Sequence, residues 1–297
     1  MSFEKGAFMN ILIIGGTRYF GIPMTEKLID SGHDVTIATR GLTADRYGDK
    51  VSRIVFDHSD ERSIRAAAGG RRYDIIIDKI AYSSNDVKRI LDNVSCGKYI
   101  LMSSSAVYDN IRRNTPEEAF DPTAHSLEWC ERQDHDYGEV KRQAECALVR
   151  NYPEQDFIAV RYPVVIGEND YTGRLRFYVE KILSGGSMYI DDMDSRISFI
   201  YEKEAGEFLA YIAESSFSGA VNACSEGDIS VAEIIAYIEE RTDRKALLSE
   251  AGEPAPYNGY PEQATLDTSK ARSSGFMFSD VREYFRRTID HYIEELK

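Results

Sequence analysis

"ILIIGGTRYFG", Ile11 to Gly21, is an apolar run that breaks into glycines. Successive Ile and Leu fit a strand buried on both faces, and the glycines after it permit a tight reversal into a helix. Gly15, Gly16 and Gly21 stand where such a turn needs backbone freedom, close approach and tight helix packing. Thr17 and Arg18 fill the middle, and Arg18 stands where a further glycine is most usual, which predicts a less permissive turn. "IPMTEKLIDSG" then reads as the helix, with Pro23 in its first turn and Gly32 just past its end.

Working outward, "HDVTIAT", "RIVFD", "YDIIID" and "KYILMSS" read as strands, separated by the helical patterns "DERSIRAAA" and "SSNDVKRILDNV". That alternation predicts right-handed crossovers and an α/β, doubly wound parallel sheet. "DYGEVKRQAECALVRNYP" is the strongest helix and "DFIAVRYPVVIG" the next strand. Beyond Gly167, turns such as "SGGSMYIDD" and "EPAPYNGYPEQ" interrupt shorter elements, and Ser230 with Glu233 forms a capping box. The expected organisation is a first domain over 9–168 and a smaller α/β lobe over 169–297, with some of its segments returning to the first. The 27 residues from Asn110 to Asp136 lack a clear pattern, and connections of that length are usually functional or disordered.

The 297 residues carry 36 Lys and Arg against 50 Asp and Glu, a formal charge of -14. That charge disfavours broad adhesion to nucleic acid or to an anionic membrane, so any anion must be held locally. Cys96, Cys130, Cys146 and Cys224 are scattered without metal or disulfide spacing and read as buried thiols in a reducing compartment. No apolar run is long enough for a membrane helix, and the residues before Met9 lack signal-peptide order, so the expected location is cytoplasmic. The five histidines, His33, His58, His125, His135 and His291, show no ligand spacing, and no metal is expected. His135, two residues before Tyr137, is expected by position to reach the substrate loop.

Three motifs agree in their order. The glycine turn, followed by a helix N-terminus, suits a pyrophosphate. "LMSSSAVY" puts hydroxyls at the carboxyl end of a parallel strand, the edge where ligands of open α/β sheets bind. "YGEVK" puts Tyr137 and Lys141 on one helix face, where an ammonium would lower a phenol pKa and make it a usable proton donor near neutrality. Each alone is weak: serines commonly form turns, and with 19 tyrosines about one Tyr-x-x-x-Lys pair is expected by chance.

Together these residues resemble the extended short-chain dehydrogenase/reductase family: NAD(P)-dependent epimerases, dehydratases and reductases that act largely on nucleotide sugars. "VRYPVVIG", "FIYEKEAGEF", "AVNAC" and "LDTSKARSSGF" extend the resemblance over nearly the whole chain. It implies a Rossmann-type sheet with a substrate-binding lobe. It also implies Tyr137 as general acid/base, Lys141 on the nicotinamide ribose, and Ser104 on the reacting oxygen, with Ser105 as the alternative. Cofactor contacts would come from Gly15, Gly16, Thr17, Arg18, Gly21, Thr39, Arg40, Asp57, Ala81, Lys141, Tyr162 and Pro163. Ser105, Arg161 and Arg196 would contact the substrate, with Arg174 and Arg176 also available. A homodimer through the Tyr-Lys helix and "SSNDVKRILDNV" is expected.

Two departures refine the expectation. Ser105 and Ala106 stand where the family's dehydratases carry an Asp-Glu pair, so dehydration is disfavoured. At the end of the second strand Thr39 and Arg40 replace the carboxylate that NAD enzymes place on the ribose 2'-OH. A guanidinium pairs with a 2'-phosphate, which favours NADP over NAD, with Arg18 as a second cation. The alternatives are an RNA-binding protein of the chloroplast stem-loop-binding type, which shares the "GGTR" opening, and a non-catalytic NADP(H)-sensing module.

Overall fold

The computed structural model describes residues 8–297. The reading of the leading segment as lacking a signal peptide concerns mostly residues 1–7 and lies outside the described residues. The first half runs β1 (Asn10–Ile14), α1 (Gly21–Asp30), β2 (Asp34–Thr39), β3 (Ser52–Val55), α2 (Glu61–Ala68) and β4 (Arg72–Asp78). It continues with α3 (Ser84–Leu91), β5 (Ser95–Ser104), α4 (Tyr137–Asn151), β6 (Asp156–Tyr162) and β7 (Val164–Ile166).

The rest holds α5 (Arg174–Ser184), β8 (Ser187–Tyr189), β9 (Arg196–Ile197), β10 (Phe199–Tyr201), α6 (Glu202–Ala213) and β11 (Gly219–Asn222). Then follow β12 (Ile229–Ser230), α7 (Val231–Thr242), β13 (Leu247–Leu248), β14 (Glu253–Pro254), β15 (Gln263–Ala264), α8 (Ser269–Ser273) and α9 (Val281–Glu295).

Seven parallel strands form the central sheet in the order β11-β6-β5-β4-β1-β2-β3. The order reverses between β1 and β4, so a crevice opens beyond their carboxyl ends. Alternation along β1 explains why its sequence is apolar throughout. Ile11 and Ile13 pack with Met24 of α1 and Phe208 of α6, whereas Leu12 and Ile14 pack with Ile64, Val87 and Ala144 of α2, α3 and α4 on the opposite face. Each such buried aliphatic contributes about 1.5–3 kcal/mol relative to exposure.

β11 joins this sheet and α6 packs against α1, so parts of the second half return to the first. A separate core gathers Tyr178 and Ile182 of α5, Ile234 and Ile238 of α7, and Phe285 and Ile289 of α9. The Ser230–Glu233 capping box forms at α7 as read from the sequence. All four cysteines are free, three of them buried. Among the described residues no helix is long and apolar enough to cross a membrane.

Candidate active site

The turn after β1 places its left-handed residues at Gly15 (φ 95°), Gly16 (φ 97°) and Tyr19 (φ 55°). Arg18 is not among them, so an arginine there carries no left-handed strain; the less permissive turn expected from its side chain is corrected to a constraint on Tyr19. A Cβ on Gly16 would meet Ile13 Cγ2 at 2.9 Å, and one on Gly21 would lie 2.8 Å from Gly16 Cα, so the glycines are required by space. The amides of Arg18, Tyr19 and Phe20 have no backbone acceptor among the described residues, while those of Gly21 and Ile22 bond Arg18 O and Tyr19 O. A shallow cradle, free donors and the N-terminus of α1 fit the diphosphate of a dinucleotide.

The candidate adenosine residues surround the ends of β2 and β3. Arg18 Nη2 donates to Thr43 Oγ1 at 3.0 Å, which carries the guanidinium toward the loop after β2. Thr39 Oγ1 caps that loop by accepting from Gly41 N (3.1 Å). Arg40 is exposed, and its charge helps hold the Asp57 carboxyl below its usual range, after the hydrogen bonds that Ser59 donates. Asp78 closes β4, its Oδ1 accepting from the amides of Ile80 and Ala81 (3.0 and 2.9 Å) and its Oδ2 from Tyr99 OH and bonded to His58 Nε2 (both 2.8 Å). This network fixes the backbone at Ala81, whose methyl is buried in the core.

Beyond the turn lies a cavity of about 1000 Å³, lined by Tyr19, Phe20, Ser104, Tyr137, Tyr162 and Pro163 on one side and by loops of the second half on the other. Ser105 and Ala106 continue β5 into a short 3₁₀ turn, where Ala106 N donates to Ser104 Oγ at 3.2 Å. Tyr137 opens α4 and is 48% exposed to the cavity. Burial among cavity groups raises its phenol pKa, opposed by the Ser104 hydroxyl and by the charges of Arg174 and Arg132.

Lys141 is not among the residues that line the cavity. It is fully buried, donating to Ala81 O (2.8 Å) and Met102 O (2.9 Å), and its Nζ lies 5.9 Å from the Tyr137 ring centre. Burial pushes its own pKa down to about 8. The groups that offset burial at the phenol are Ser104, Arg174 and Arg132, where the expectation named Lys141.

Two expected substrate contacts are also corrected. Arg161 is fully buried: it pairs with Glu145, bonds Tyr108 OH, and donates to the carbonyls of Glu117 and Phe120. It pins the long 110–136 connection to the sheet, out of reach of the cavity. Arg196 on β9 pairs with Asp228, just before β12, and with Glu233 of α7, and it does not line the cavity. His135 lies 3.3 Å from Glu128 and likewise stays off the cavity wall.

Arg132, Arg174 and Tyr82 line the cavity instead. The Arg132 guanidinium lies 3.7 Å from the Tyr82 ring centre, and Tyr82 packs edge-on against Tyr137. Their signal in the sequence was position: Tyr82 follows Ala81, and Arg132 lies in the loop that leads into Tyr137. Only the fold brings Arg174, at the start of α5, to the same place.

The 110–136 connection covers α3 and α4. Glu128 N bonds Gln143 Oε1, Arg150 reaches Thr123 O, and Asn85 bonds Glu131. Every residue of α4 from Val140 to Leu148 is buried within the single chain. The chain's own loop thus covers much of the α3 and α4 surface on which the dimer was expected.

Comparison with known proteins agrees with this architecture. Over 129 residues, 38% of this chain, it is 29% identical to the chloroplast stem-loop binding protein of 41 kDa b of Arabidopsis thaliana, a match spanning 34% of that protein's length. The UDP-glucose 4-epimerase of Thermotoga maritima superposes with TM-score 0.73 at 18% identity, covering 97% of this chain and 100% of that one. The UDP-glucuronic acid 4-epimerase of Bacillus cereus, solved with UDP-glucuronic acid and NAD, gives TM-score 0.73 at 15% identity and the same coverage. The model of the NAD dependent epimerase/dehydratase family matches residues 11–224. With the glycine turn, the serines after β5 and the Tyr-Lys helix in the order that family uses, this chain belongs to the NAD dependent epimerase/dehydratase family.

Proposed function

We propose that this protein is an NADP(H)-favouring epimerase or reductase of a nucleotide sugar, with Tyr137 moving the proton and Ser104 holding the reacting oxygen. The observation that carries the reading is that the Ser104 hydroxyl and the Tyr137 phenol meet in one cavity that Tyr19 and Phe20 of the glycine turn also line. A bound nicotinamide supplies the hydride acceptance and donation that side chains lack.

The phenol, kept protonated near neutrality by its raised pKa, donates to a carbonyl oxygen and withdraws the proton in the reverse direction. Ser104 donates a hydrogen bond as charge develops there, and Arg132 and Arg174 stabilise a phenolate. Lys141 anchors the backbone at Ala81 and Met102, and its remaining N–H would go to the cofactor ribose. Ser105 and Ala106 offer no carboxyl to expel a hydroxyl, which leaves dehydration without its acid and base.

The 2'-phosphate preference rests on Arg18 and Arg40 and on the lack of a carboxylate at the end of β2. Titration with NADPH and NADH, followed by a nucleotide-sugar screen, tests the reading. It fails if neither cofactor binds below millimolar concentration. The stem-loop-binding relative favours one second reading, RNA binding, which low-salt filter binding checks; the -14 charge weighs against it.

A further inference from the structure

Lys79, the first residue after β4, has no place in the account so far. Its Nζ lies 4.1 Å over the Phe20 ring centre and 3.3 Å from Arg18 O. A Cβ on Gly21 would lie 2.5 Å from that nitrogen. The ammonium thus lies against the turn and the first residue of α1, in the same turn whose Arg18, Tyr19 and Phe20 amides have no backbone acceptor among the described residues. Among the described residues no carboxylate pairs with it. A cation held only by an aromatic face and one carbonyl, beside open anion donors, has unused charge and unused hydrogen bonds.

We infer that Lys79 is a phosphate-binding residue of the glycine turn, engaging the diphosphate of the dinucleotide that the cofactor reading above places there. The inference rests on that reading. The glycine turn binds phosphate by backbone; Lys79 adds a side-chain charge from the neighbouring strand.

The surroundings make that charge conditional. The contacts of its Nζ are Arg18 O and the Phe20 ring. The adjacent Asp78 is engaged by His58, Tyr99 and the amides of Ile80 and Ala81, so it does not compensate the ammonium. Burial alone pushes Lys79 down to about 7, so the ligand-free site is largely neutral at pH 8. A diphosphate favours the charged form and raises that pKa, so binding at pH 8 takes up a proton.

The experiment is calorimetric titration with ADP at pH 8 in two buffers of different ionisation enthalpy, on wild type, K79M and K79R. Wild type is expected to take up a substantial fraction of a proton. K79M is expected to bind ADP about tenfold more weakly with no uptake, and K79R to keep the affinity without uptake. Equal affinity and equal uptake in wild type and K79M would overturn the inference, as would equal loss in K79M and K79R. Wild type that binds neither ADP nor either nicotinamide cofactor would instead overturn the cofactor reading itself.

Discussion

Arg161 and Glu145 form a two-point ion pair, Nε to Oε1 at 3.0 Å and Nη2 to Oε2 at 2.6 Å, with both side chains closed to solvent. Ser103 Oγ donates to the same Oε1 at 2.5 Å, and the remaining guanidinium N–H groups go to Tyr108, Glu117 and Phe120. Removing one partner leaves a buried charge unpaired, so R161M is expected to lose about 3–5 kcal/mol of stability. Combining it with E145M should recover part of that loss. Urea denaturation of the two single variants and the double variant reads the difference.

Y137F is expected to lower kcat by about 10² to 10⁴, as loss of a general acid/base does, while NADPH affinity stays near wild type. Steady-state kinetics beside direct cofactor titration separates the two effects. Activity that survives unchanged removes Tyr137 from the chemistry.

Arg18 reaches the loop after β2 through Thr43, whereas the diphosphate cradle is built from backbone. R18G is therefore expected to weaken NADPH about tenfold and NADH by less than about twofold. Fluorescence titration with both cofactors measures this. Equal losses would place the arginine on the turn or the diphosphate.

His58 is buried between Asp78 and Asp86, and although burial lowers its pKa, those two carboxylates raise it to about 10. Its unfolded value is near 6.5. The native state therefore binds more protons between these pH values, and the stabilisation, complete below about pH 6.5, is lost as pH rises through about 10. The stability gap between wild type and H58Q is expected to narrow over that range in urea titrations. A gap independent of pH would show that His58 is neutral in the fold.

The loop over α4 occupies the surface on which a dimer was expected. Because Val140 to Leu148 are already covered, light scattering is expected to give the mass of one chain at micromolar concentration. A stable dimer would have to use another face.

What the sequence determined by itself is the part governed by local periodicity and by motif order. The Ile-rich strands, the caps at Ser230 and Glu233, the glycine turn, and the succession of Ser104, Tyr137 and Lys141 are short-range patterns, and all appear where they were read. What only the tertiary structure decided is where long side chains find their charge partners. Arg161 and Arg196 look alike as free cations in the sequence, yet Glu145, Asp228 and Glu233 claim them from 16 to 37 residues away. Among the described residues no carboxylate pairs with Arg132, Arg174 or Lys79, which are left to the site. A guanidinium goes to whichever carboxylate the fold desolvates beside it, and that depends on packing between elements distant in the chain.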